Sequence, residues 1–130
     1  MRVLSIDPAI RNTGYAVLDG DHQHAVAITY EVIRIPQKLP QSAALAAIRT
    51  HLSHVIQTHQ PDEVAVEGII YVQSHQTAIA MGAARATALI AAAEAGLPVY
   101  EYAPLKAKKA VVGNGRADKS QVAFMIRALL

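Results

Sequence analysis

The sequence predicts an α/β fold: a mixed five-stranded sheet, built from a three-strand antiparallel meander plus two parallel strands, with helices on both faces. Three observations predict it. The first 35 residues hold short apolar runs separated by turn residues. From residue 40 onward, stretches of helical spacing alternate with further apolar runs, the pattern of strands covered by helices. Apolar residues make up 52% of the chain and charged residues 17%, enough to pack one domain over residues 1–130.

The elements follow in order. Val3-Leu4-Ser5-Ile6 is nearly continuous in apolar character, so it reads as a strand buried on both faces and ending at Asp7-Pro8. Gly14 to Leu18 is a second strand. Asp19-Gly20-Asp21 is a turn signal, so the third strand returns antiparallel. Its apolar alternation at Val26, Ile28, Tyr30 and Val32 slips to Ile33 and Ile35, which predicts a bulge at the slip. Residues 40–60 are helical, with Leu45, Ile48, Leu52, Val55 and Ile56 on one stripe and Pro61 as the stop. Val64 to Val66 is a buried strand ending at Glu67-Gly68. Residues 76–95 form a helix of small side chains stopped by Gly96-Leu97-Pro98. Val99 to Tyr102 is the last strand. Helices are expected near Pro104–Val112 and from Asp118 to Leu130, with the turn Gly113-Asn114-Gly115 between them.

The chain has 25 alanines and no cysteine. The latter excludes a disulfide scaffold and any thiolate metal or nucleophile site. No stretch is apolar enough to span a bilayer, and residues 1–20 do not read as a secretory leader. A soluble, cytoplasmic protein is expected. Net charge is +2 but unevenly spread: residues 101–130 hold six basic residues (Lys106, Lys108, Lys109, Arg116, Lys119, Arg127) against two acids (Glu101, Asp118). That skew points to an anionic partner, nucleic acid first; on charge alone a merely solvated helix surface accounts for it equally well.

Two buried strands each end in a carboxylate, Asp7 and Glu67. Open α/β sheets bind ligands beyond the carboxyl ends of their strands. If the two strands are parallel neighbours, the carboxylates lie side by side, where they repel unless a proton or cation intervenes. An oxygen-only pair favours Mg²⁺, with Mn²⁺ as a substitute. A hard cation, a basic tail and an anionic substrate together suggest metal-assisted phosphodiester hydrolysis. A single acid of this kind could equally terminate its strand or cap a helix.

The run Val3-Leu4-Ser5-Ile6-Asp7-Pro8-Ala9-Ile10-Arg11-Asn12-Thr13-Gly14-Tyr15 closely resembles the first strand and turn of the RuvC family of bacterial Holliday junction resolvases. Ala65-Val66-Glu67, Gly82-Ala83-Ala84-Arg85, Pro98-Val99-Tyr100-Glu101-Tyr102, Val111-Val112-Gly113 and Asp118-Lys119-Ser120-Gln121-Val122 recur in the family's order and spacing. The resemblance covers nearly the whole chain. It implies an RNase H-like fold, a homodimer, and a Mg²⁺-dependent endonuclease that nicks two strands symmetrically at a four-way DNA junction during recombination and repair. A branch-migration motor complex is a further partner that the resemblance implies.

The resemblance also supplies roles. Asp7 matches a first-strand metal ligand and Glu67 a second. Lys108 and Lys119 match basic residues acting near the scissile phosphate. From charge rather than from the resemblance, Lys106, Lys109 and Arg116 are further expected DNA contacts. Three departures stand out. Ala9 replaces the glycine of the family's Asp-Pro-Gly turn, so no positive φ is expected there. Ile70 stands where the family often has a junction-centre aromatic, with Tyr71 next to it. The family's last helix, carrying two further metal ligands, is expected to lie beyond Leu130.

Three other readings compete. His51 and His54 are three apart on one helix, but no carboxylate joins them in a metal site. Asp7 with Thr13-Gly14 also looks like the phosphate loop of the actin and sugar-kinase ATPases, which need two such lobes. The third is a non-catalytic junction-binding module of the same fold.

Overall fold

The structure is a computed structural model that describes residues 1–21, 24–68 and 74–102. Five strands form one sheet in the order β3-β2-β1-β4-β5. They are β1 (Arg2–Asp7), β2 (Asn12–Gly20), β3 (Ala25–Arg34), β4 (Glu63–Glu67) and β5 (Val99–Tyr102), with helices α1 (Gln41–His59) and α2 (His75–Glu94) between. β1 and β2 pair antiparallel, as do β2 and β3; β1–β4 and β4–β5 are parallel. This is the meander plus two parallel strands that the sequence predicts. The two helices expected after Pro104 lie outside the described residues.

β1 is the central strand, which explains its nearly continuous apolar run. Val3, Leu4, Ser5 and Ile6 are all 5% exposed or less. Leu4, Ile6, Tyr15, Val17, Ile33, Val64 and Val66 form one face of the sheet. They pack with Ala44, Ile48, Leu52, Val55 and Ile56 of α1 and with Ala88, Ala91 and Ala92 of α2. Both described helices therefore cover that face, and truncating a side chain such as Leu52 there would cost about 2–5 kcal/mol. The expected α1 stripe is displaced at one position: Ala44 is buried and Leu45 only half-buried. The second face carries Val3, Ser5, Ala16, Leu18, Ala65 and Tyr102, also buried.

The third strand corrects one expectation. The register runs unbroken through Gly14↔Val32 and Thr13↔Ile33, so there is no bulge at the apolar slip. The irregularity lies lower, where Val17 faces Thr29 and Leu18 faces Ala27, leaving Ile28 as the extra residue. Tyr30 and Val32 point to the second face and stay partly exposed, whereas Ile33 and Ile35 are buried on the first. The slip is thus a change of face in an edge strand, each face being apolar in a different segment.

The loops around the carboxyl ends of β1 and β3 are held by side chains. Thr13, 1% exposed, donates through Oγ1 to the Ala9 carbonyl at 2.5 Å and accepts from the Ala9 N–H at 3.2 Å. Ala9 has no positive φ, as its replacement of glycine requires. Arg11 donates to the carbonyls of Pro36 and Leu39, both at 2.8 Å, and accepts at its own carbonyl from the Ile35 N–H. α1 follows Pro40 and ends at Gln60 in the left-handed conformation. α2 is capped by Ser74, whose hydroxyl accepts from the Thr77 N–H, and ends at Gly96 (φ 72°) with the Leu97 N–H bonded to the Ala92 carbonyl, a Schellman-type stop.

Candidate active site

The parallel register of β1 and β4 ends with Ile6 opposite Val66. Asp7 and Glu67 are the next residues on each strand. Adjacent strands are about 4.8 Å apart, and residues at one register share a face. The two carboxylate-bearing residues thus stand side by side at the carboxyl edge of the sheet, on the second face. Asp7 is exposed and Glu67 half-buried.

The row extends across the whole sheet. Asp7 faces Gly14 on β2, Gly14 faces Val32 on β3, and Glu67 faces Tyr102 on β5. A Cβ added at Gly14 would meet only the Asp7 Cβ, at 3.9 Å. The space beside Asp7 on that side is therefore left open by the absence of a side chain. On the other side the row is closed by Tyr102, 8% exposed.

Tyr102 reaches back over β4. Its hydroxyl lies 3.3 Å from Ser5 Oγ, and Ser5 is the register partner of Ala65, two residues before Glu67. The small Ala65 side chain gives the ring room to cross. Burial pushes the Tyr102 hydroxyl pKa up; the Ser5 hydrogen bond pulls it partly back, and the charges of Glu67 and Asp7 push it up again. The ring and its neutral hydroxyl form a floor beneath the two carboxylates. Sequence reasoning missed Tyr102 and Ser5. The usable signal was that Tyr102 ends its strand as Asp7 and Glu67 end theirs.

Around this edge, Gly68 continues the ladder by donating its N–H to the Tyr102 carbonyl at 2.8 Å. Arg85 of α2 forms an ion pair with Glu101, tying the helix to β5 on the first face. Of the other predicted site residues, Ile70, Tyr71, Lys106, Lys108, Lys109, Arg116 and Lys119 lie outside the described residues. His51 is turned toward Tyr15, its Nε2 3.5 Å from the phenol oxygen. Among the described residues no group of three or more His, Cys, Asp or Glu side chains could hold a metal ion. Asp7 and Glu67 are a pair of hard oxygen donors, a set that suits Mg²⁺ or Mn²⁺ and leaves positions for other ligands. No helix among the described residues is long and apolar enough to cross a membrane.

A groove of about 390 Å³ lies between the C-terminal ends of α1 and α2, lined by Arg49, Gln57, Gln60, Glu94 and Leu97 among others. Those helix ends lead into the starts of β4 and β5, so the groove is at the opposite end of the sheet from Asp7 and Glu67.

The pattern of the family described as crossover junction endodeoxyribonuclease RuvC matches residues 3–130. The chain is 61% identical over 130 residues to the crossover junction endodeoxyribonuclease RuvC of Akkermansia muciniphila, covering all of this chain and 78% of that protein. It is 43% identical over 129 residues to the RuvC of Halorhodospira halophila, covering 99% of this chain and 77% of that protein. Among solved structures, T. thermophilus RuvC in complex with Holliday junction substrate superposes with a TM-score of 0.82 at 34% identity, covering 100% of this chain and 79% of that one. An α/β sheet of this order, two carboxylates at its parallel edge and identity along its whole length lead to one conclusion: the chain belongs to the RuvC family of crossover junction endodeoxyribonucleases.

Proposed function

We propose that the protein is a structure-selective endonuclease that resolves four-way DNA junctions by Mg²⁺-dependent phosphodiester hydrolysis. The observation that carries this reading is the Asp7–Glu67 pair at the parallel edge of β1 and β4, in a chain of the RuvC family. Two adjacent carboxylates repel each other when no cation is near. Asp7 and Glu67 would hold the ion, with remaining ligands from outside the described residues. When bound, a divalent ion acts as a Lewis acid toward a phosphodiester.

The chain's own residues do the rest. Gly14 leaves Asp7 open to a strand approaching from the β2 side. Tyr102 and Ser5 join β5 to β1 beneath the two acids. Thr13 fixes the turn that follows Asp7. Lys108 and Lys119 place positive charge at the scissile phosphate, where charge builds up in the transition state; Lys106, Lys109 and Arg116 contact phosphates, and Ile70 or Tyr71 acts at the junction centre.

A junction offers two equivalent strands, and a two-fold homodimer matches that symmetry. α2 supports such an assembly. Ile79 and Ile90 are 69% and 47% exposed, with half-buried Ala83 and Ala86 between them on the same side of the helix.

The test is a nicking assay on a four-way junction with Asp7→Asn and Glu67→Gln. Each substitution should abolish Mg²⁺-dependent nicking and leave junction binding largely intact, since binding rests on basic residues elsewhere. Full nicking by either variant overturns the assignment. Junction binding without nicking by a chain extended to include the ligand-bearing last helix would favour the non-catalytic module.

A further inference from the structure

Three cations meet at the β3 corner of the same sheet edge. Asp7 faces Gly14, and Gly14 faces Val32. Two residues beyond Val32, Arg34 faces Asn12. Residues two apart in a strand share a face, so Arg34 stands on the face that carries Asp7 and Glu67. Two strand spacings across and two residues along place it roughly 12 Å from Asp7, backbone to backbone. Lys38 follows in the loop between β3 and α1. That loop is pinned by Arg11, whose guanidinium holds the carbonyls of Pro36 and Leu39.

The local charge has one sign. No acid occurs between Glu31 and Asp62. Of the six described arginines and lysines, Arg2, Arg49 and Arg85 are paired with Asp19, Glu94 and Glu101, and Arg11 is spent on loop carbonyls. Arg34 and Lys38 are exposed, and neither makes a hydrogen bond or ion pair with any described residue. On a loose loop they would be ordinary solvated charges. On a strand end and a pinned loop, much of the ordering that anion binding requires is already in place.

We infer that Arg34 and Lys38 form a phosphate-contact surface for a DNA strand crossing the β3 side of the site. At 3.4 Å of axial rise per nucleotide, the spacing from Asp7 puts the contacted phosphates within about four nucleotides of the reacting one. Such contacts fix the position of the strand and carry no base preference. The inference rests on the nuclease reading, and the test separates the two.

Junction affinity of the full 130-residue chain is measured between about 50 and about 200 mM salt, without divalent ions. Replacing both residues, Arg34→Ala with Lys38→Ala, should lower the slope of log affinity against log salt by about 1.8, at about 0.9 per phosphate contact. The loss should be the same on junctions of different sequence. Arg34→Lys with Lys38→Arg should keep the slope, and Arg49→Ala, midway along α1 and paired with Glu94, should not change it. If the alanine pair lowers thermal stability, Arg34→Gln with Lys38→Gln provides the same comparison. A wild-type slope in the neutral variants overturns this inference and leaves the nuclease reading standing. A wild-type chain that does not bind junctions overturns both.

Discussion

The Tyr102 hydroxyl lies 3.3 Å from Ser5 Oγ across the intervening strand β4, joining residues 97 positions apart. This one contact links the edge strand β5 to the central strand β1 directly beneath the two carboxylates. Tyr102→Phe should cost about 1 kcal/mol of stability, the net worth of one such hydrogen bond. Ser5→Ala should cost a similar amount, and the double variant less than the sum, because both remove the same bond. Chemical denaturation of the three variants checks this; strict additivity would show that the contact is not formed.

The same hydroxyl predicts an alkaline limit to stability. Its folded pKa is raised by burial, then partly lowered by Ser5 and raised again by Glu67 and Asp7. The unfolded value is about 10. A raised folded pKa contributes stability that is complete below the unfolded pKa and is lost as pH rises above it. Stability should therefore fall from about pH 10 upward, and Tyr102→Phe should flatten that fall. Tyr15 is shifted the same way, by burial and by Glu31, so some loss should remain. Denaturation midpoints from pH 8 to 11 measure it.

Asp7 and Glu67 should make the metal-free protein less stable than it could be. Two like charges on neighbouring strands repel, and ligand-binding sites commonly sacrifice stability in this way. Asp7→Asn should raise the melting temperature in the absence of divalent ions. Mg²⁺ at millimolar concentration should raise the melting temperature of the unaltered chain, because it binds the folded state. It should leave Asp7→Asn and Glu67→Gln unmoved. A Mg²⁺ shift of the same size in these variants would show that the ion binds elsewhere.

The sequence revealed the site's two acids because each is the first charge after a nearly continuous apolar run, Val3–Ile6 in one case and Val64–Val66 in the other. A strand end is a local property. Tyr102 was not legible, because its partner Ser5 is brought near only by the strand order β1-β4-β5, a property of the whole sheet. The bulge at Ile28 was misplaced for a related reason. A strand that is apolar on one face at Tyr30 and Val32 and on the other at Ile33 and Ile35 imitates a register slip. Periodicity alone does not separate the two.

Gln60 is the one described residue other than glycine with positive φ, at 52°. The conformation closes α1, with the Gln60 N–H bonded to the Ile56 carbonyl, and turns the chain into Pro61. An L side chain is strained there by about 1–2 kcal/mol, and glycine returns part of that gain through its greater unfolded freedom. Gln60→Gly should raise stability by about 0.5–1 kcal/mol. The exposed bond from the Gln60 side chain to the Gln57 carbonyl offsets little of this. No change in nicking is expected, because Gln60 lies at the end of the sheet away from Asp7.

The last prediction concerns α2. Ala84, Thr87, Ala88, Ala91 and Ala92 are its core-facing residues. Ile79, Ala83, Ala86 and Ile90 recur at spacings of four, three and four, a stripe of i, i+4, i+7 and i+11 that lies off that core. Ile79 and Ile90 leave 69% and 47% of their surface in water, and a Cβ added at Gly82, beside the stripe, would meet nothing within 4 Å. Small residues between two large ones allow a second helix to approach closely, with the isoleucines packing on either side. Twenty residues give about 30 Å of helix, long enough for two copies to cross near Ala83 and Ala86. Ala86→Glu would place a charge at that crossing in both protomers at once. It should weaken self-association at least tenfold in sedimentation and leave the monomer fold intact, since the position is outside the core. Junction nicking should then lose its symmetry: single nicks should accumulate where paired nicks formed before. Unchanged sedimentation in Ala86→Glu and Ala83→Glu alike would remove α2 from the interface.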